Sequence, residues 1–445
     1  MIKHLIITLS LCFATHLYGQ DAQEAFSLDE AINYALKHNR TVKNASLDIQ
    51  AAEKQKWETT ATGLPQINAK IDYQNWLKQQ VSLIPAEFFG GNPGEFAEVV
   101  FGTKQTMSAT ATLKQKLFDG SYIVALQSAK VFLEISKNAK EKTDLEVRRS
   151  VINAYGNVLL AEENIKILER NKAVLQKNLD ETTTIYNNGL EEEESVEQLQ
   201  ITLAEVKSSL NNTTRLKTLS YQMLNVTLGR DINAITTLSD NLDALTLKNI
   251  DLKLIASKND VKNTIDYKIA ANDTRSKELL LKLEKSKSLP TLNAFINGGY
   301  NGNNDQFKFL DNTQQWFGSS LIGVTMNVPI FSSFGRSAAT QRARINLEKS
   351  KHTLSESEQK LKLQIEQAKS NYQFAIEDYD NKKESLALAE RIEAKNQTKF
   401  FEGIASSFEL RQAQMQLYSS QQQYLQAMLE IINKKADLET IITRK

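Results

Sequence analysis

The sequence predicts a mainly helical fold in which long antiparallel coiled-coil helices alternate with four β-strands. The five prolines occur only in two windows, about 64–93 and 290–329, so two long stretches lack the residue that most disrupts helices. Within those stretches, apolar residues recur at steps of three, four and seven, as in coiled coils. Within the two windows, apolar and polar residues alternate, which is typical of strands with two different faces.

The first residues predict an exported protein. Lys3 precedes a short apolar run, Leu5–Phe13, and small or polar residues follow near position 20, as in a secretory signal. We therefore expect residues 1–20 to be a signal peptide. The single cysteine, Cys12, lies in this segment, and Leu11 stands where a lipoprotein signal has a small residue. The mature chain would then contain no cysteine and no disulfide.

The helical stretches are predicted to be very long. A helix from Ser121 to Tyr186 would extend roughly 100 Å at ~1.5 Å per residue. Two apolar stripes are Val147, Val151, Ala154, Val158, Ala161, Ile165, Leu168, Leu175 and Leu179, and Leu354, Leu361, Ile365, Ala368, Tyr372, Ala375, Tyr379, Leu386 and Ala389. Helices of this length need partner helices along the whole stripe, so we expect paired coiled coils.

Four segments of about ten residues show the alternation, and this is the length of a tilted strand that crosses a bilayer. Their apolar positions are Ile67, Ala69, Ile71 and Tyr73; Ala109, Ala111, Leu113 and Leu117; Leu292, Ala294 and Ile296; and Ile322, Val324, Met326, Val328 and Ile330. Aromatic residues lie near their ends, which favours a membrane girdle over packed surface hairpins. The predicted girdle contains Tyr73, Trp76, Trp316 and Phe317 at one end, and Phe118 and Phe331 at the other.

The same order of features occurs twice, which predicts two structural repeats. The first, 21–245, contains a helix, a strand hairpin over 65–118 and a helical hairpin with its tip near 189. The second, 246–445, contains a helix, a strand hairpin over 290–331 and a helical hairpin with its tip near 403. A helix–strand–helix unit of this kind, used twice, indicates duplication.

Four membrane strands cannot close a barrel, and an open edge in lipid leaves backbone groups without partners, each costing several kcal/mol. Closure therefore requires several copies of the chain. Two copies would give a barrel filled by its own side chains, whereas three would give twelve strands around a water-filled lumen. The long helices also favour three or more copies, because they too must close into a tube to bury their stripes.

Charge and motifs argue against several other functions. The 54 basic and 53 acidic residues leave no basic surplus for binding nucleic acid. Beyond the predicted signal, His38 and His352 are the only histidines, and no hydrolase, nucleotide-binding or metal-ligand motif is present. We therefore expect no enzymatic activity, no cofactor and no metal site.

Several short motifs resemble those of the TolC-like outer-membrane efflux proteins. Gln115–Gly120 is similar to the family's strand-to-helix junction, with Lys116 in place of proline, and Val328–Phe331 is its counterpart in the second repeat. Tyr186–Leu190 and Phe400–Ile404 resemble the tips of the family's helical hairpins. The resemblance implies a homotrimer that forms a twelve-stranded barrel in the outer membrane of a Gram-negative bacterium and a helical tunnel through the periplasm.

The resemblance also implies partners and site residues. The chain would be the exit duct of a tripartite efflux or type I secretion system, with a periplasmic adaptor and an inner-membrane RND or ABC pump. The adaptor would dock at the hairpin tips, Gly189, Leu190, Gly403 and Ile404. The periplasmic aperture would contain Glu191, Glu192, Glu193, Glu194 and Glu409. Ala405 and Phe400 stand where a family example has arginine and tyrosine, so the family's gating network is not reproduced.

Two other functions are compatible with parts of the sequence. A periplasmic adaptor would have one helical hairpin flanked by β domains, and a coiled-coil scaffold would lack the alternating strands. Retention in the outer membrane after a carbonate or high-salt wash would separate a duct from both. The cargo stays open among drugs, metals and proteins, because tunnel linings are polar whatever passes through them.

Overall fold

The computed structural model describes residues 25–443, so the predicted signal peptide lies outside the described residues. The chain forms two compact units. The first unit consists of the residues up to Ile49, Ser136–Ala271 and the residues from Leu354 onward; the second consists of Gln50–Ile135 and Asn272–Thr353. Each compact unit therefore takes segments from both predicted repeats.

The described residues form nine α-helices and six strands. The helices are α1 (Leu28–His38), α2 (Arg40–Ala61), α3 (Gly120–Asn187), α4 (Glu193–Leu228), α5 (Leu242–Lys248), α6 (Leu252–Ala256), α7 (Ile265–Ser286), α8 (Gly335–Phe401) and α9 (Ser407–Ile441). The strands are β1 (Gln66–Asn75), β2 (Val81–Pro85), β3 (Phe96–Val100), β4 (Gln105–Phe118), β5 (Thr291–Asn304) and β6 (Trp316–Asn327). Two short 3-10 helices occur at Ala86–Phe89 and Val261–Asn263. The predicted fold class is confirmed.

The core of the first unit is built along the predicted apolar stripes. On α3, Val151 and Val158 are fully buried, and on α8 Tyr372 is fully buried. They pack with residues of α4 and α9, among them Leu224 and Ile431. Most of the remaining stripe positions are buried as well, because a stripe repeating at steps of three and four faces one neighbour along the whole helix.

Two fully buried tyrosines tie the long helices to the chain segments beside them. The hydroxyl of Tyr155 on α3 donates to the carbonyl of Phe26 (2.8 Å) and to the carboxylate of Asp240 (2.9 Å). The hydroxyl of Tyr372 on α8 donates to the carbonyl of Asn249 (2.6 Å) and accepts from the N–H of Asp251 (2.8 Å). Burial, and next the bond to Asp240, raise the pKa of Tyr155, so the group stays neutral and keeps its proton for donation.

The second unit contains an antiparallel sheet in the order β1-β4-β5-β6. Its register aligns Ile67 with Leu113, Leu113 with Ile296, and Ile296 with Ile322. Since neighbouring residues in a strand point to opposite faces, the predicted alternation produces one apolar and one polar face.

The long loop between β1 and β4 was predicted without strands, and there the structure differs. It contains a separate two-stranded sheet, in which Val81 pairs with Val100 and Pro85 with Phe96. A second difference lies at the end of β4, where a register shift between Lys116 and Phe118 leaves Leu117 as an extra residue. The shift aligns Phe118, rather than Leu117, with Leu292.

Removing the hydroxyl of Tyr155 should destabilise the first unit. Tyr155→Phe would remove one hydrogen bond from the carbonyl of Phe26, which would keep the N–H of Ser239, and one from the carboxylate of Asp240. That carboxylate would keep the N–H of Leu28, so the expected cost is about 0.5–1.5 kcal/mol. Thermal unfolding followed by circular dichroism should therefore show a lower midpoint. Tyr186→Phe, at a side chain that is 36% exposed, is the control and should change little; equal midpoints for both variants would contradict the assigned role.

Candidate functional site

The two helical hairpins turn through the same hydrogen-bonded motif. In the first, the N–H of Gly189 donates to the carbonyl of Tyr186 (2.8 Å) and that of Leu190 to the carbonyl of Ile185 (3.2 Å). Gly189 has φ +72°, so the turn uses the left-handed region that glycine enters without steric cost. This is a Schellman C-cap, which satisfies the last carbonyls of a helix.

The second tip repeats this geometry. The N–H of Gly403, at φ +71°, donates to the carbonyl of Phe400 (3.0 Å), and that of Ile404 donates to the carbonyl of Lys399 (2.8 Å). A Cβ at either glycine would meet no other atom within 4 Å, so backbone conformation rather than space requires glycine here. In both tips the residue after glycine is apolar and largely exposed: Leu190 is 79% exposed and Ile404 71%.

The predicted acidic run lies at the start of α4. Glu192 occupies the N-cap position, with Glu193 and Glu194 in the first turn. All three are exposed, whereas the carboxylate of Glu191 accepts a hydrogen bond from the hydroxyl of Ser195 (2.7 Å). Acidic groups at this position are stabilised by the helix dipole, and they also leave a concentrated negative charge beside the turn.

Glu409 has a local partner that the aperture prediction did not include. Its carboxylate accepts from the N–H of Ser406 (2.8 Å), while the hydroxyl of Ser406 accepts from the N–H of Glu409 (3.3 Å). This is a capping box at the start of α9, readable from the Ser-x-x-Glu spacing. The backbone hydrogen bond from Ser406, and next the one from its hydroxyl, lower the pKa of Glu409.

Phe400 and Arg411 lie beside the second hairpin tip, on α8 and α9. Phe400 is buried, with its ring 5.3 Å from that of Phe401. Arg411, which the sequence analysis missed, places its guanidinium 5.6 Å from the ring of Phe408. Its spacing of three from Phe408 on a helix could have indicated this pair.

Buried polar side chains join the two helical hairpins of the first unit. The amide of Asn171 on α3 donates to that of Gln421 on α9 (2.8 Å), and the amide of Gln397 on α8 donates to that of Asn178 on α3 (3.0 Å). Within the first hairpin, a separate apolar cluster contains Leu168, Leu175, Leu199, Leu203 and Val206, and the hydroxyl of Tyr221 donates to Glu162 (2.9 Å). The amide pairs between the hairpins favour one register, because sliding the helices would leave buried amides without partners.

The four-stranded sheet exposes its apolar face within the single chain. Ile67 on β1 is 72% exposed and Ile322 on β6 is 75% exposed. The opposite face is polar: Asn68, Thr112 and Asn297 lie in one row, and the amide of Asn297 donates to the hydroxyl of Thr112 (3.0 Å). An apolar face of this extent requires either lipid or another protein against it.

The register separates two members of the predicted aromatic girdle. Tyr73 aligns through Met107 and Gly302 with Trp316, so both belong to the apolar face. Phe317 follows Trp316 directly, aligns with Asn301 and belongs to the polar face. Phe317 therefore points to the face opposite Trp316, because two neighbouring residues of one strand cannot point to the same face, and its place in the girdle stays a prediction.

The other girdle residues lie near the strand ends. Tyr73 and Trp316 both contact the buried ring of Phe309 in the β5–β6 loop, at centroid distances of 6.0 and 6.2 Å. Trp76 directly follows β1, and its N–H donates to the carbonyl of Lys104 (2.9 Å). At the opposite end, Phe118 closes β4, and Phe331, beyond β6, is 75% exposed.

None of the described helices has an apolar stretch long enough to cross a membrane. Among residues 25–443, no group of three or more His, Cys, Asp or Glu side chains is arranged to hold a metal ion. The ring of His38 stacks on the ring of Tyr34, with the two ring centroids 4.2 Å apart. His38 therefore has a packing role on α1.

Comparison with known proteins identifies proteins that are similar to this chain in sequence and in fold. The outer membrane efflux protein family model matches residues 31–230 and 269–444. Outer membrane protein TolC of Vibrio cholerae serotype O1 is 22% identical over 322 residues, which are 72% of this chain and 68% of that protein. The solved structure of CusC has a TM-score of 0.74 at 17% identity and covers 96% of this chain and 95% of its own. VceC from Vibrio cholerae has a TM-score of 0.71 at 15% identity, covering 94% and 96%.

The solved structures share the fold, and the family model spans both halves of the chain. The family is one of channel proteins, not of enzymes. A periplasmic adaptor or a coiled-coil scaffold would not be matched in this way over the sheet and both helical hairpins. The chain therefore belongs to the outer membrane efflux protein family and is an exit duct subunit of the Gram-negative outer membrane.

Proposed function

We propose that three copies of this chain close one barrel and one helical tunnel, which together form the passive exit of a tripartite efflux or type I secretion system. The observation that carries this proposal is the sheet order β1-β4-β5-β6, in which the outer edges of β1 and β6 have no partner strand among residues 25–443. In lipid those edges must be paired, and β6 of one copy can pair with β1 of the next.

The two faces of the sheet suit such a barrel. The apolar face, with Ile67 and Ile322, would contact lipid, while the polar face would line the lumen. On that polar face Lys70 and Asp72 form an ion pair of 2.7 Å. Twelve strands leave room for water between such side chains, whereas eight would bring them into contact.

A girdle that fits this orientation contains Tyr73, Trp76 and Trp316 at the outer boundary, with Phe118 and Phe331 at the boundary where the helices begin. The helices adjoin the strand ends that carry Phe118 and Phe331, so that boundary faces the periplasm. Amphipathic aromatic rings are favoured at both headgroup levels of a bilayer.

The hairpin tips are proposed to dock a periplasmic adaptor, which in turn binds an inner-membrane RND or ABC pump. Leu190 and Ile404 support this role, because each is an apolar side chain left exposed by a turn that fixes its position. In three copies the two tips would give six similar sites, which suits an adaptor with a tip-like apolar end.

The acidic run is proposed to act at the periplasmic aperture. Three copies of Glu191, Glu192, Glu193 and Glu194 would place about twelve carboxylates near one opening and would attract cations. Glu409 belongs to this group by position, although its carboxylate also caps α9.

Disulfide cross-linking tests the assembly, because the predicted mature chain has no cysteine of its own. Cysteine at Ser320 on β6 should be combined with single cysteines at successive positions of β1, from Asn68 to Ile71. We expect a covalent trimer on non-reducing gels for one register only, since neighbouring strands lie about 4.8 Å apart. Absence of linked species at every position, with folded protein in the membrane, would contradict closure through β1 and β6.

Replacing glycine at the second tip tests docking. Gly403→Val should abolish export, because a β-branched residue at φ +71° costs about 1–2 kcal/mol and distorts the turn. Gly403→Asn is the matched control, since asparagine tolerates this conformation and there is open space for its side chain. Export is measured as resistance of a deletion strain to toxic compounds and metals, with trimers checked on unheated gels. Normal export with Gly403→Val would remove the tip from the proposal.

Charge removal tests the aperture. Changing Glu191, Glu192, Glu193 and Glu194 together to Gln should lower the preference for cations, measured as a reversal potential in planar bilayers. The control changes Glu356 and Glu358 of α8, which are paired with Lys360 and Lys362. A drop in cation preference of the same size in the control would refute a local effect of the acidic run.

Glu409 allows the charge and the cap to be separated. Glu409→Gln removes the charge but keeps a capping box, whereas Glu409→Ala removes both. Only Glu409→Ala should loosen the start of α9, measured by hydrogen exchange. Because the folded-state pKa is lowered, the cap stabilises the helix above the ordinary Glu range and is lost as the pH falls below it. Equal exchange in the two variants would show that the cap is dispensable.

A further inference from the structure

The junction between β6 and α8 carries a cavity of about 480 Å³ with two kinds of lining. One part is basic and polar and includes Arg336, Arg344 and the hydroxyl of Ser337. The other part is apolar and includes Ile330 and Phe331. Arg336 and Arg344 are eight residues apart on α8, so they lie on one face of the helix.

The arginines of this junction have no protein counter-charge. Neither Arg336 nor Arg344 makes an ion pair or a side-chain hydrogen bond to any of residues 25–443. The first acidic residue after β6 is Glu348, one turn beyond Arg344, and its carboxylate is paired with Lys351 (3.5 Å) rather than with Arg344. The N-terminal end of the helix dipole disfavours the positive charge of Arg336, the second residue of α8, so an anion bound there would be stabilising.

The first repeat provides an internal comparison. Counted from the glycine that begins each long helix, Gly120 and Gly335, the positions of Arg336 and Arg344 are held by Ser121 and Ala129. In that repeat Asp119 caps the helix, accepting from the N–H of Ser121 (2.9 Å). The basic pair is therefore specific to the second junction and is not required by the fold.

The apolar part of the lining identifies the kind of anion. Ile330 is 90% exposed, Phe331 75% and Phe334 77%, and the two rings lie 6.0 Å apart. Ile330 lies three residues beyond the end of β6 at Asn327 and has the same parity as Ile322, which belongs to the face proposed to contact lipid. A free phosphate would gain nothing from these side chains, whereas acyl chains would.

We infer that the β6–α8 junction binds the phosphate headgroup of an anionic phospholipid from the periplasmic leaflet, between Arg336 and Arg344, with its acyl chains against Ile330 and Phe331. The site presupposes the trimeric duct proposed above, because only that assembly sets the junction at the inner headgroup level. Guanidinium groups bind phosphate through paired N–H donors, and Ser337 adds a hydroxyl.

The competing occupant is a neighbouring subunit, since β6 is an edge strand. The opposite edge of the chain is continued by α2, where Glu53 and Glu58 are matched by Lys54 and Lys56. This helix segment has no acidic surplus with which to neutralise two arginines, so the charges favour lipid.

The test compares lipid binding to the purified trimer by native mass spectrometry, with phosphatidylglycerol, phosphatidylcholine and inorganic phosphate as probes. We expect phosphatidylglycerol to bind best and the double variant Arg336→Gln/Arg344→Gln to bind it roughly thirtyfold more weakly. Arg342→Gln is the matched control, because Arg342 is on the same helix but does not line the cavity. Phe331→Ser should weaken phosphatidylglycerol binding while leaving the response to inorganic phosphate unchanged.

Several results would overturn the inference. These are wild-type affinity in the double variant, an equal loss in Arg342→Gln, or binding of inorganic phosphate as tight as that of phosphatidylglycerol. Loss of the trimer in the double variant, but not in Arg342→Gln, would assign the arginines to the subunit contact instead. Export is measured in strains that carry the same variants. Weaker lipid binding with normal export would leave the proposed duct function intact. Absence of trimers in the wild-type protein would overturn both proposals.

Discussion

The obligation to pair every backbone hydrogen-bonding group in lipid is the constraint on which this structure depends. Four strands pair in the order β1-β4-β5-β6, which leaves the outer edges of β1 and β6 open among the described residues. In the proposed trimer those edges pair between neighbouring copies. Because each of the four strands adjoins a helix, closing the barrel in that proposal would also set how many helices surround the tunnel.

The two halves of the chain reach the same local solutions. Both hairpin tips end in a Schellman turn with an exposed apolar residue, Leu190 or Ile404, and both long helices anchor a neighbouring segment through a buried tyrosine, Tyr155 or Tyr372. Losing these features would open a turn or remove a hydrogen-bond partner from a polar group beside the core.

The differences between the halves carry more information about function. The first junction is capped by Asp119, whereas the second has Arg336 and Arg344 without acidic partners. The first tip presents a run of glutamates, whereas the second uses Glu409 to cap α9. At the first junction the residue has a structural role as a helix cap, whereas at the second junction the charges have no acidic partner. Such charges are available to bind a ligand, an ion or a partner protein.

The sequence by itself determined the long helices, the four alternating strands and the glycines of both tips, because proline position, periodicity and φ preference act within a few residues. The division into repeats 21–245 and 246–445 stays a prediction. Only the tertiary structure revealed the β2–β3 hairpin, the extra residue at Leu117 and the place of Phe317 on the polar face. Register and bulges depend on which strand lies opposite, and the counter-charge of an arginine depends on distant segments, so neither can be read from local spacing.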